Sequence, residues 1–207
     1  MKTTAERLAQ ASSTKTAVKT LQDLAEDNKR EVRAAALINP KLSRELVEKR
    51  CRFHETPSVI AAVVRSREDL SEEFLAGLLL SPPLEVELAV LQHHRCPPQA
   101  KEGVLCQPRP QTEKCRALAQ AKTLLDRDAV RLAQLREPSV LLRLAENAAL
   151  TPKLCKIVAE VAQKHSEVLE ALLDNPNVPQ DTIEALRDSD LYSVEQKASQ
   201  KLKGITR

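Results

Sequence analysis

Apolar positions along this chain come in short clusters at helical spacing, each closed by a polar turn and followed by a second, shorter cluster. The clearest copies read Val32-Arg-Ala-Ala-Ala-Leu-Ile-Asn39-Pro40 and Val168-Leu-Glu-Ala-Leu-Leu-Asp-Asn175-Pro176. Residues 59–66, 86–93, 115–122 and 140–147 repeat the theme more loosely. The six anchors, Val32, Val59, Val86, Cys115, Val140 and Val168, are spaced by 27, 27, 29, 25 and 28 residues. A fixed period in this range is the signature of stacked supersecondary units, none of which can bury its apolar face alone.

The pattern predicts two helices per unit. In the first unit a helix over 31–38 stops at Asn39-Pro40, because proline disfavours helical geometry in the residue before it, and Ser43 caps a second helix with Leu46 and Val47 inward. Pro57-Ser58 and Pro138-Ser139 open the helices of the second and fifth units, where proline fits the first helical turn. Ser71 precedes Glu72 and Glu73, acids placed to complement a helix dipole. The third unit turns through Cys96-Pro97-Pro98. The fourth is the most degenerate, with Cys115 at its anchor and Thr123 as the expected cap of a helix over 124–135. Thr151-Pro152 and Asp181 are read as the caps of the second helices of units five and six. Thr3 with Glu6, and Ser193 with Gln196, read as capping boxes of terminal helices. The expectation is one all-α domain, an α-solenoid of about six repeats over 26–188, with caps at 1–25 and 189–207.

Composition supports helix over strand. Only three glycines (Gly77, Gly103, Gly204), one Tyr, two Phe and no Trp occur in 207 residues, so the core is mostly Leu, Val and Ala. No stretch approaches the ~20 apolar residues that span a bilayer, and the N-terminal residues show no apolar run of the secretory kind. Five scattered cysteines, an odd count, predict reduced thiols and a cytoplasmic location.

Charge is nearly balanced, +3 overall, but the first 69 residues carry 14 basic and 10 acidic side chains. Arg44, Arg50, Arg52, Arg65 and Arg67 are the candidate partner-binding residues, a possible stripe across neighbouring units facing an acidic protein surface or a phosphate backbone. Glu45, Glu48, Glu55, Glu68 and Asp69 interleave with them. His93, His94 and Cys96, with Cys106 and Cys115 further on, are the one cluster of metal-ligand types; the paired spacing of a zinc site is missing. His93 is expected to fill the turn position of Asn39, and Cys106 and Cys115 to be small core residues. Arg33 is expected to pair locally with Asp27 or Glu26. Asp126 and Asp128, two apart on a helix, diverge and cannot form an acid–base couple. No nucleophilic triad order, phosphate-cradling glycine loop or His-Glu-x-x-His string is present. No catalytic residue, cofactor or metal is therefore assigned.

The run Val-Arg, small-apolar helix, Asn-Pro, spacer, Leu-x-x-Leu resembles the leucine-rich repeat variant, a HEAT-like bacterial helical repeat. The match is good over 27–47 and 165–186, fair over 139–161 and loose over 56–135. The resemblance implies a right-handed superhelix of alternating α and short 3₁₀ helices that binds other proteins. The N-terminal cysteine cluster that holds an iron–sulfur centre in some members has no counterpart, since the first cysteine is Cys51 and none lie closer than nine residues apart. HEAT-like alkylpurine DNA glycosylases are similar solenoids, but they depend on aromatic side chains, tryptophan especially, for stacking worth ~1–3 kcal/mol per base. The expected function is a non-catalytic scaffold for a protein partner. The alternative is a nucleic-acid-binding module using the same basic N-terminal half.

Overall fold

The computed structural model describes residues 2–205. They form fifteen α-helices and, among the described residues, no strand. Inter-residue contacts divide the chain into two units, residues 1–100 and 101–207.

The first unit contains α1 (Thr4–Ser12), α2 (Val18–Leu24), α3 (Arg30–Ile38), α4 (Arg44–Phe53), α5 (Pro57–Ser66), α6 (Glu72–Leu78) and α7 (Leu84–Gln92). Helix α8 (Pro98–Leu105) spans the division. The second unit contains α9 (Thr112–Ala119), α10 (Asp126–Gln134), α11 (Pro138–Glu146), α12 (Pro152–Val161), α13 (Ser166–Asp174), α14 (Gln180–Arg187) and α15 (Tyr192–Ile205). The second helices, α4, α6, α8, α10, α12 and α14, are α-helices, not the 3₁₀ turns that the family resemblance implied, and three of them (α4, α10 and α12) are a residue longer than the helix they follow.

Local chemistry accounts for many of the ends. Pro57, Pro138 and Pro152 occupy the first turn of α5, α11 and α12, where the missing N–H has no helical partner to lose. Thr3 and Glu6 close the expected capping box on α1. Ser43 and Ser71 accept hydrogen bonds from Leu46 N and Phe74 N. Thr151 is the N-cap residue of α12 and Pro152 its first helical residue, as expected, but the Thr151 side chain makes no capping bond. The remaining expected caps fall elsewhere. Helix α10 starts after Leu125 rather than Thr123, and α14 starts after Pro179, leaving Asp181 in its first turn. Ser193 lies inside α15 and donates instead to Glu170 at 2.6 Å.

Alternate helices pack in succession. In the first unit α1 packs on α3, α3 on α5 and α5 on α7; in the second α9 packs on α11, α11 on α13 and α13 on α15. The segment over 1–25 forms α1 and α2, and α1 packs on α3. The anchors Val32, Val59, Val86, Cys115, Val140 and Val168 are all buried.

Polar side chains tie these successive helices together at their C-terminal ends. Asn39 donates to the carbonyls of Ala11 and Ser13 at 2.8 and 3.1 Å, and its Oδ1 accepts from Lys41 N at 3.1 Å. Asn147 does the same to Ala119 and Ala121 at 2.7 and 3.0 Å, and Asn175 to Ala145 and Asn147 at 2.8 and 2.9 Å. Helix ends leave carbonyls without intrahelical partners, and a buried orphan costs ~1–3 kcal/mol. One amide therefore satisfies two carbonyls of the neighbouring helix end while its oxygen closes its own turn.

The same position is held by different chemistry elsewhere. Arg67 replaces asparagine after α5: it donates to Leu37 O, Asn39 O and Leu42 O at 3.2, 3.0 and 3.0 Å and pairs with Asp69 at 2.5 Å. After α7, His93 Nδ1 accepts from Arg95 N at 3.0 Å, so the neutral ring carries its proton on Nε2 and donates to Arg67 O at 2.8 Å. Lys201 on α15 reaches Leu173 O, and desolvation holds its amine below the usual lysine range. The positions Ser13, Asn39, Arg67 and His93 are spaced by 26, 28 and 26 residues, and so are Ala121, Asn147, Asn175 and Lys201.

Candidate functional site

The five arginines named from sequence do not form one open face. Arg67 is a core residue, 5% exposed, and its guanidinium is taken up by three carbonyls and Asp69. That removes it from any partner surface. Asp69 is held below the usual carboxylate range, first by the Arg67 hydrogen bond. Arg44 sits beside Glu45 and Glu48 at 3.4 and 3.8 Å. Arg50 is half-buried, bonding Glu26 at 3.2 Å and Ala25 O at 3.0 Å. Arg52 is exposed, with its guanidinium 6.0 Å from the ring centroid of the buried Phe74, and Arg65 is exposed on α5. The interleaved acids therefore offset much of the local basic field.

Other sequence candidates also resolve into particular contacts. Arg33 donates to Asp27 O at 2.9 Å, but its ion pair is with Glu55 at 3.1 Å rather than with Asp27 or Glu26. The rings of His93 and His94 lie 4.5 Å apart by centroid, with His93 engaged in the carbonyl contact described above. Cys96 is buried. Cys115 is buried as expected, but Cys106 is exposed. Burial, reinforced by Glu55, pushes the Cys51 thiol up to about 12, and burial raises Cys155 to about 11. Such thiols stay protonated at neutral pH and are poor nucleophiles. Asp126 is exposed while Asp128 is buried, 3.5 Å from Arg127, so the two carboxylates lie in different environments.

A groove of about 490 Å³ in the second unit is a better candidate for binding. It is lined by α12, by α14 and by the turns that follow each. Lys156, Ala159, Glu160 and Gln163 recur at the three-to-four spacing that puts residues on one side of a helix. Asp181, Thr182, Ala185 and Asp188 do so from the other wall. Leu169 of α13 and Leu186, both buried, supply its apolar surface. Lys156 bridges the groove to Asp181 at 2.5 Å, and this hydrogen bond leads the causes that hold the Asp181 carboxyl below its usual range. The volume falls within the ~300–1,000 Å³ of typical ligand sites. Sequence reading gives these positions no binding role, because periodicity alone does not say that two helix faces oppose each other.

No protein-family model, curated protein or solved structure matches this chain. Among the described residues, no helix is long and apolar enough to cross a membrane.

Proposed function

We propose that the chain is a right-handed α-solenoid of the HEAT-like, leucine-rich-repeat-variant type, acting as a non-catalytic scaffold that binds a segment of a protein partner. The observation that carries the reading is the groove along α12 and α14, an apolar strip between polar rims, formed by equivalent second helices of successive pairs. Repeat arrays commonly present such surfaces, with the stacked helices as rigid support. The recurrent carbonyl contacts of Asn39, Arg67, His93, Asn147 and Asn175 fit this division of labour, because they give the buried polar side chains structural partners. The five free thiols fit a reducing compartment such as the cytoplasm. The basic face of the first unit is a weaker docking surface with Arg67 in the core and Arg44 and Arg50 beside acids.

A photocrosslinking residue placed at Gln163, an exposed position on the groove rim, tests this reading. The expected result is a discrete adduct with a cellular protein, whose purified form then binds the chain in solution and fails to bind the Ala185→Trp variant. Adducts from an equivalent probe at Arg52 and none from Gln163 would move the surface to the first unit. Binding of duplex DNA with a steep salt dependence, and of no protein, would replace the reading with the nucleic-acid alternative.

A further inference from the structure

Resting on the groove reading above, we infer that the segment held between α12 and α14 is cationic, presenting Lys or Arg side chains to Glu160, Asp188 and Asp190. The groove lining contains one basic side chain, Lys156, and four acids, Glu160, Asp181, Asp188 and Asp190, a formal charge of −3. Lys156 and Asp181 neutralise one another across the walls at 2.5 Å. Asp188 meets Arg187 at 3.2 Å, but both side chains are more than half exposed, and exposed pairs of this kind interact weakly. The remaining negative charge on Glu160 and Asp190 lies around an apolar strip of Leu169, Leu186, Ala159 and Ala185.

This combination selects an occupant. Lys and Arg have long aliphatic stems that lie along apolar surface while the charged head stays at the polar edge. A guanidinium can also take a carboxylate bidentately, which favours Arg at the rim. Anionic segments meet the opposite situation, since a cleft lined by one sign of charge concentrates counter-charge and repels like charge. The apolar strip sets the site apart from a merely acidic surface, because it holds the stem and backbone of a peptide as well as its charges.

The test uses the full chain and a fluorescein-labelled nonapeptide alternating Arg with Leu and Ala, together with the same peptide carrying Glu in place of Arg. The Arg peptide is expected to bind about tenfold or more tightly than the Glu peptide, with affinity falling as salt rises. Glu160→Lys combined with Asp190→Lys is expected to weaken it about tenfold, while reversing the exposed acids Glu72 and Glu73 changes it less than about twofold. Ala185→Trp, which fills the groove without changing charge, is expected to abolish binding. Circular dichroism confirms that each variant is folded. Equal binding of both peptides, blocked by Ala185→Trp, would overturn the charge inference and leave the groove reading standing. Arg-peptide binding that survives Ala185→Trp would overturn both. Spermidine binding as tightly as the peptide, and sensitive to the same reversals, would replace the protein segment with a free polyamine.

Discussion

Arg67 shows how a charged residue that looks like part of a surface stripe can be a core element. Its guanidinium satisfies three backbone carbonyls around the ends of α3 and the turn after it, and Asp69 balances its charge. Methionine would fill much of the same volume while leaving those acceptors without their donor. Arg67→Met is therefore expected to lower the unfolding free energy in urea by about 3 kcal/mol. Arg65→Met, at an exposed position two residues earlier, is expected to stay within about 0.5 kcal/mol. The pair also has a pH signature. The folded-state pKa of Asp69 is depressed, so its contribution is fully present above the unfolded value of ~3.9 and is lost as pH falls through the lower folded value. Asp69→Asn is expected to flatten that part of the acid limb in stability measured from pH 5 to pH 2, with little change in its slope above pH 5.

At the level of single elements, the sequence was most legible where the deciding interaction is local. Pro57, Pro138 and Pro152 mark helix starts, and Ser43 and Ser71 cap the helices they precede. Reading failed where a distant partner competed for the same side chain. Asp181 bonds Lys156 across a groove, and Ser193 bonds Glu170 on α13. The fourth repeat is obscure for a different reason: the position equivalent to Asn39 falls at Ala121, which has no polar side chain to mark it, rather than at Lys122. In the second, an extra helical residue moves the position from Ser66 to Arg67. The distinction between formed and unformed caps is measurable. Ser71→Ala is expected to cost about 1 kcal/mol through loss of the bond to Phe74 N. Thr151 sits at the start of α12 yet its buried hydroxyl has no hydrogen-bond partner. Thr151→Val is accordingly expected to be neutral or stabilising by up to about 1 kcal/mol in the same chemical-denaturation assay.

Across whole units, the positions linked by the carbonyl contacts carry a regularity that the apolar anchors blur. Anchor spacings wander between 25 and 29, whereas these positions alternate 26, 28, 26 within residues 13–93 and again within 121–201, with Ser13 and Ala121 supplying the carbonyl that the next side chain binds. The reason is geometric: an apolar anchor can shift by a residue and still be buried, but the short amides of Asn39, Asn147 and Asn175 must each meet two specified carbonyls. The groove, by contrast, was not legible, because it depends on how the faces of α12 and α14 oppose one another. Coupling by successive contacts also bears on how stability is distributed. In the first unit the main packing runs from α1 to α3 to α5 to α7, and arrays with neighbour-to-neighbour contacts open locally rather than uniformly. Asn39→Ala frees the carbonyls of Ala11 and Ser13 while leaving the apolar contacts of α5 and α7 in place. Native-state hydrogen exchange followed by mass spectrometry should therefore show amides of α1 and α3 exchanging about tenfold faster or more, and those of α7 changing less than about threefold. Equal acceleration in all four helices would mean that they open as one cooperative block, and that the carbonyl contacts stabilise that block as a whole rather than the junction each one spans.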